Sequence, residues 1–254
     1  MEASFNDGDH WVYRSRGTPS EIDPDSVYHI RQLQVLFESC YLHTLSYDAI
    51  RKLMDRVLSW EEFETETGRI ILVWKKSRRY VRRDIAAHLR LAEEYSLPSI
   101  SKATGQHAEM LTLLGLSRLH LTLVDKNSGT YKGRTWTDTG HDLDFIMEKN
   151  DRAYGVEVKN TFDYMPRDEF RAKLEMCSFL GLRPLFVVRV RHPDQWELAR
   201  SVGGLVYMFG TKIFPPGQES FVERIWRHMR LPVAVWTDWE HTPFYKRVGD
   251  FLEP

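Results

Sequence analysis

Polar and turn-forming residues fill the first 26 positions, with NDGD, RGTPS and DPDS among them, which predicts a loosely held lead-in. From Val27 to about Leu58 apolar residues recur at helical spacing. Ile30, Leu33, Phe37 and Tyr41 form one stripe and Ile50, Leu53, Met54 and Val57 another, so two amphipathic helices are expected. GRIILVWKK (68–76) is rich in β-formers, and YVRRDIAAHLRLAEEYS returns to helical spacing at Ile85, Leu89 and Ala92. SKATGQHAEMLTLLGLSRLH (101–120) predicts a helix with Thr104 as its N-cap. LHLTLVD then alternates with period two, KNSG turns it, and HDLDFIMEKNDRAYGVEVKN (141–160) alternates on both sides of a polar knot. PRDEFRAKLEMCSFLG predicts a helix that Pro166 opens and Gly181 ends, with Phe170, Leu174 and Cys177 buried. PLFVVRV (184–190) suits a sheet interior. A helix (PDQWELARSV), a strand (GLVYMFG), a helix (ESFVERIWRHMR) and a strand (PVAVWTDW) complete the pattern.

The order helix, three strands, helix, strand, helix, strand predicts an α/β fold: a central mixed sheet flanked by helices. Residues 1–100 read as a mainly helical N-terminal region carrying a basic segment, a DNA-binding or dimerisation module. Residues 101–254 read as the core with a C-terminal helix-strand extension. The helix pair followed by a strand and basic residues is also compatible with a winged-helix module.

Composition narrows the function classes. The 254 residues carry a net charge of −1, so a nucleic-acid surface would have to be local rather than general. Two distant cysteines, Cys40 and Cys177, make no disulfide framework and no thiolate zinc site, and are expected to be reduced core residues. The acidic start MEASFNDGDHW is unlike a signal peptide, and no apolar run has the length of a membrane span, which together predict a cytoplasmic protein without a membrane partner. The absence of a GxxxxGK[ST] loop argues against a nucleotide cofactor. No Ser-His-Asp elbow and no zinc spacing occur.

Residues 75–90, KKSRRYVRRDIAAHLR, hold seven Lys or Arg against one Asp. Lys75, Lys76, Arg78, Arg79, Arg82 and Arg83 could form a patch that contacts DNA phosphates. Equally, they could form a solvated face paired with the acidic run EEFETE (61–66).

The hairpin concentrates the chemistry. A turn centred on Asn150-Asp151, a pair that tolerates positive φ, sets Lys149 opposite Arg152, Asp144 opposite Glu157 and Asp142 opposite Lys159. Alternation then puts Asp142, Asp144, Glu157 and Lys159 on one side, with Leu143, Phe145, Val156 and Val158 on the other. Facing carboxylates repel, and a hard divalent cation such as Mg²⁺ would compensate them.

Asp144, followed after thirteen positions by Glu157-Val158-Lys159, each within an apolar strand-like run, resembles the motif of the PD-(D/E)xK nuclease superfamily. The resemblance spans roughly residues 104–210, and the layout is nearest to Holliday-junction-resolvase-like or small restriction-like enzymes. Leu143 stands where the motif's name has proline. The resemblance implies a restriction-endonuclease-like core and Mg²⁺-dependent hydrolysis of DNA, with Mn²⁺ as a substitute ion. Asp144, Glu157 and Glu109 would be metal ligands with the Val158 backbone carbonyl, Lys159 the catalytic lysine, and Asp142 an additional carboxylate. Water would attack in line, endonuclease action being favoured over exonuclease action. The expected partners are duplex or branched DNA and a second copy of the chain, since cutting two strands symmetrically needs two sites. A nuclease core that binds DNA without cutting, or an RNA nuclease, are the alternatives.

Lesser candidates are expected to be structural. His141 falls on the face opposite Asp142, His107 is two residues from Glu109 and so not on its face, and Trp74 suits core packing. Lys173 is expected to be solvated rather than to reach the site.

Overall fold

The computed structural model describes residues 23, 26–54, 56–66, 68–239 and 242–253. Apart from Asp23 and Ser26, the lead-in expected over residues 1–26 lies outside the described residues. In chain order the elements are β1 (Tyr28–His29), α1 (Ile30–Phe37), α2 (His43–Met54), β2 (Leu58–Thr65), β3 (Gly68–Lys75), α3 (Arg82–Tyr95) and α4 (Pro98–Arg118). There follow β4 (Thr122–Ser128), β5 (Thr130–Tyr131), β6 (Arg134–Thr135), β7 (Leu143–Lys149), β8 (Arg152–Lys159), α5 (Arg167–Leu180) and β9 (Arg183–Val188). The last are α6 (Pro193–Ser201), β10 (Leu205–Met208), β11 (Lys212–Phe214), α7 (Glu219–Met229), β12 (Val233–Val235) and α8 (Phe244–Leu252). The protein is α/β, and among the described residues no helix is long and apolar enough to cross a membrane.

The chain divides into two compact units. One holds the described residues up to Ala103 together with Pro216–Val235; the other holds Thr104–Pro215 and the described residues from Trp236 on. The sequence boundary at 100/101 is close to the first division, but residues 216–235, read as part of the core, group with the N-terminal unit.

In the first unit the two predicted helices form, and they are followed by strands in a three-stranded sheet of order β1-β3-β2. Ile30, Leu33, Leu36, Ile50 and Met54 pack with Val73 on one side of it. Val27, Ile70, Leu72 and Ile85 pack together in a second cluster. The region is less helical than expected, because EEFET (61–65) lies in β2, where half-buried positions alternate with exposed ones. Three stripe residues, Tyr41, Leu53 and Val57, are exposed. Cys40 is exposed as well, which corrects its assignment to the core; Cys177 is buried as expected, and both are free thiols.

The second unit is built on a five-stranded sheet of order β10-β9-β8-β7-β4. β4 and β8 flank β7 antiparallel, whereas β9 is parallel to β8 and β10 parallel to β9. Asn150 and Asp151 take φ of +50° and +61°, the conformation that the tight hairpin turn requires. The register runs from Lys149↔Arg152 to Phe145↔Val156 as the sequence predicts. α5 is stopped by Gly181 at φ +74°. α4 begins at Pro98, at the first-turn position that suits proline, so Thr104 is buried inside the helix and is not its N-cap.

Candidate active site

The site grows out of a match between a strand and the helix above it. Along β8, residues 155, 157 and 159 share one face. Along α5, residues 169, 173 and 177 share one stripe. Four helical residues advance about 6 Å, close to the ~6.6 Å of two strand residues, so the two rows stay in step. Lys159 Nζ donates to Glu169 Oε1 at 2.8 Å, and Lys173 Nζ donates to Glu157 Oε2 at 2.7 Å. At the third rung Cys177 faces Gly155, where a Cβ would lie 2.5 Å from its Sγ and 2.9 Å from Leu143 Cδ1. Gly155 is thus a close-approach glycine that lets α5 settle on the strand.

Burial makes these charges consequential. Glu157 and Lys173 are each 5% exposed. Lys173 also donates to the backbone carbonyl of Asp142, so it is not the solvated lysine that the sequence suggested. Asp144, half-buried on β7, lies one step beyond the last recorded pair of the β7–β8 ladder. There its Oδ2 accepts the backbone N–H of Val158 at 2.7 Å, which fixes the carboxylate against β8 beside Glu157.

The carboxylates hold protons unusually well. Burial pushes Glu157 up to about 8, and the neighbouring Asp144 charge adds to this, while Lys173 opposes it. Burial also raises Asp144, to about 6; the Val158 N–H opposes the shift and the Glu109 charge reinforces it. Cys177 is pushed up to about 12, mainly by burial, and is a poor nucleophile.

The remaining candidates lie around this pair. Glu109, half-buried on α4, has Oε2 3.6 Å from Lys126 Nζ and acts on Asp144 through its charge. Asp142 is exposed and precedes β7 rather than facing Lys159 across the ladder; Lys159 takes Glu169 instead. His107 donates Nε2–H to the Trp236 carbonyl at 2.7 Å, a structural role that agrees with the sequence reading. Among the described residues no group of three or more His, Cys, Asp or Glu side chains is placed to hold a metal ion. The oxygens nearest to such a role, on Asp144 and Glu157, are engaged by an N–H and an ammonium. In donor chemistry the pair nonetheless fits a hard cation: a buried and a half-buried carboxylate, one raising the other's proton affinity, whose negative charge a divalent ion would stabilise.

Sequence reasoning missed Glu169, and it missed the residues that hold the segment joining β8 to α5. Asn160 donates Nδ2 to the Thr104 and Ile213 carbonyls at 3.0 and 2.7 Å and accepts the Ile213 N–H at 2.9 Å. The fully buried Arg189 donates to the carbonyls of Thr161 and Phe162 at 2.7 and 2.8 Å. Gln195 donates to the Met165 carbonyl at 2.8 Å. These bonds fix where α5 starts and hence where Glu169 meets Lys159. The signal available in the sequence was the repeated order of charge, Glu157-x-Lys159 and then Glu169-xxx-Lys173, which pairs fully when the helix runs back over the strand.

The basic segment lies in the first unit and splits in two. Arg78 pairs with Asp84, Arg82 Nη1 donates to Glu61 Oε2 at 2.8 Å, and Lys76 Nζ donates to the Arg56 carbonyl at 3.1 Å. Lys75, Arg79 and Arg83 are exposed.

Comparison of the chain with protein-family models, with curated proteins and with solved structures gives no match.

Proposed function

We propose that the chain is a divalent-metal-dependent nuclease with a restriction-endonuclease-like core of the PD-(D/E)xK kind, hydrolysing phosphodiester bonds in DNA. The observation that carries this reading is the pairing of half-buried Asp144 with buried Glu157 at the end of the β7–β8 ladder, with Lys159 two residues beyond Glu157 on the same face. A buried carboxylate whose proton affinity is raised by burial and by a neighbouring acid is costly to a metal-free fold when ionised, and perturbed acids of this sort cluster at functional sites. The order α4, β4, β7, β8, α5, β9, with an antiparallel hairpin followed by a parallel crossover strand, supports the core assignment.

Asp144 and Glu157, together with Glu109 and the Val158 carbonyl, would hold Mg²⁺, or Mn²⁺. The bound ion would supply Lewis-acid stabilisation of the phosphate and a nucleophile at neutral pH. Lys159 offers an ammonium to the phosphate oxygens as their charge grows. Glu169 positions that ammonium, and Lys173 orients the Glu157 carboxylate. Lys75, Arg79 and Arg83 would contact the DNA backbone, and a homodimer would place two sites for two strands.

One observation favours a second reading, a DNA-binding scaffold on a core that does not cut. Each acid and lysine of the β8–α5 rungs already has a partner, so the ladder can serve as structure alone. Incubation with Mg²⁺ or Mn²⁺ and labelled linear duplex, branched junction, single-stranded DNA and RNA separates the readings. Metal-dependent cutting that Lys159→Ala abolishes, with binding retained, supports the nuclease; binding without cutting on every substrate supports the scaffold.

A further inference from the structure

The turn that joins β3 to α3 carries an aromatic ring that the fold leaves unused. Tyr80 is 94% exposed and sits at φ +61°. The left-handed region is disfavoured for a bulky side chain, which pays for it with nothing in return inside the fold: the ring packs on no other ring or cation among the described residues. Strain of this kind persists where surrounding structure enforces it, and the enforcing contacts are visible. The Arg78 N–H donates to the Lys75 carbonyl at 3.0 Å, and the Lys76 N–H to the Val57 carbonyl at 3.0 Å. Lys76 Nζ reaches the Arg56 carbonyl, Arg78 is tied to Asp84, and Arg82 is tied to Glu61.

The pinning residues and the remaining cations are different sets. Lys76, Arg78 and Arg82 fasten the turn. Lys75, Arg79 and Arg83 are exposed and have no ion-pair partner among the described residues, and the exposed Arg56 lies beside them where Lys76 meets its carbonyl. A rigid turn therefore presents one aromatic face amid several uncommitted cations. That combination matches single-stranded nucleic acid, in which phosphates meet the cations and an unpaired base offers its face to the ring. A continuous duplex satisfies the cations but keeps its base faces stacked away from Tyr80. An acidic protein surface or an anionic membrane would use the charges and not the ring's position.

We infer that the turn 75–83 binds an unpaired stretch of nucleic acid, with Tyr80 stacking on one base and Lys75, Arg79, Arg83 and Arg56 contacting the adjoining phosphates. The inference rests on the nuclease reading for its biological sense and deepens it by naming the substrate feature: a single-stranded tract, present alone or at a branch.

The test uses the full chain carrying Lys159→Ala in EDTA, so that binding is read without cutting. Fluorescence anisotropy measures affinity for a labelled 12-nucleotide oligo-dT, the matching oligo-U and a blunt duplex, at several salt concentrations. Tyr80→Ala and Tyr80→Asn should each weaken oligo-dT binding about tenfold or more, while Tyr80→Trp retains it. Asn tolerates the left-handed conformation, so its loss of binding assigns the effect to the ring and not to the shape of the turn. Duplex binding should change less than twofold in the same variants, and replacing Lys75, Arg79 and Arg83 by Ala should flatten the salt dependence on all substrates. Equal weakening on duplex and oligo-dT, full affinity in Tyr80→Asn, or tighter binding to polyglutamate or to anionic vesicles than to oligo-dT would overturn the inference. Absence of cleavage on every substrate, with these binding results intact, would instead refute the nuclease reading and leave the stacking site standing.

Discussion

Removing the charge of Glu157 should change how stability depends on pH. The carboxyl ionises near 4.5 in the unfolded chain and at about 8 in the metal-free fold, because of burial and of Asp144. The folded state therefore binds a proton that the unfolded state has lost, and stability falls as pH rises through this window. Buried bases act in the opposite sense. Burial lowers Lys212 to about 8, which adds stability as pH rises through and above that value; it also lowers His29 to about 4 and lowers His88 and His107, which add stability as pH rises through 6.5. Asp144, at about 6, has largely ionised by then. From pH 6.5 to 8 the Glu157 contribution is a decline of about 1.5–2 kcal/mol, at about 1.4 kcal/mol per pKa unit, read as the difference between the wild type and Glu157→Gln, in which the histidines and Lys212 cancel. Urea unfolding in EDTA at half-unit steps measures this directly. Glu157→Gln should remove most of that decline, and millimolar Mg²⁺ should offset it in the wild type, since a ligand of the folded state stabilises it. A wild-type profile that runs parallel to that of Glu157→Gln from pH 6.5 to 8 would refute the reasoning.

Other substitutions probe the ladder beneath the site. Lys173→Met removes the ammonium bridging Glu157 Oε2 and the Asp142 carbonyl, and should cost about 3 kcal/mol in urea unfolding; a change under ~0.5 kcal/mol would mean the lysine is solvated. Gly155→Ala forces a methyl against Cys177 and Leu143, and should cost about 1–3 kcal/mol. If Gly155→Ala is neutral, α5 does not sit on β8 as closely as described. Glu169→Gln loosens the Lys159 ammonium and should slow cleavage without unfolding the protein, so a variant with both wild-type rate and wild-type metal affinity would remove Glu169 from the site.

Much of the second unit's sheet was legible in the sequence because local rules govern it. Asn150-Asp151 accepts positive φ, and alternation across that turn leaves one register that buries Phe145 and Val156. Other elements were hidden by long-range effects. β2 carries EEFET, whose polar composition reads as a solvated run, yet pairing with β3 makes it a strand. Thr104 looks like a cap, but the helix continues back to Pro98 and Asn160 binds the Thr104 carbonyl from 56 residues away. The environment of the site was the least legible part. That Lys173 meets Glu157 and Glu169 meets Lys159 depends on how α5 lies over β8, and this in turn depends on Asn160, Arg189 and Gln195, whose partners no local pattern announces.

Calorimetric titration of Mn²⁺ into EDTA-stripped protein at pH 8 addresses the central claim without requiring a substrate. Saturable binding of one or two ions by the wild type, lost in both Asp144→Asn and Glu157→Gln, is the predicted result. Absence of binding to the wild type, or unchanged binding in those two variants, would contradict it.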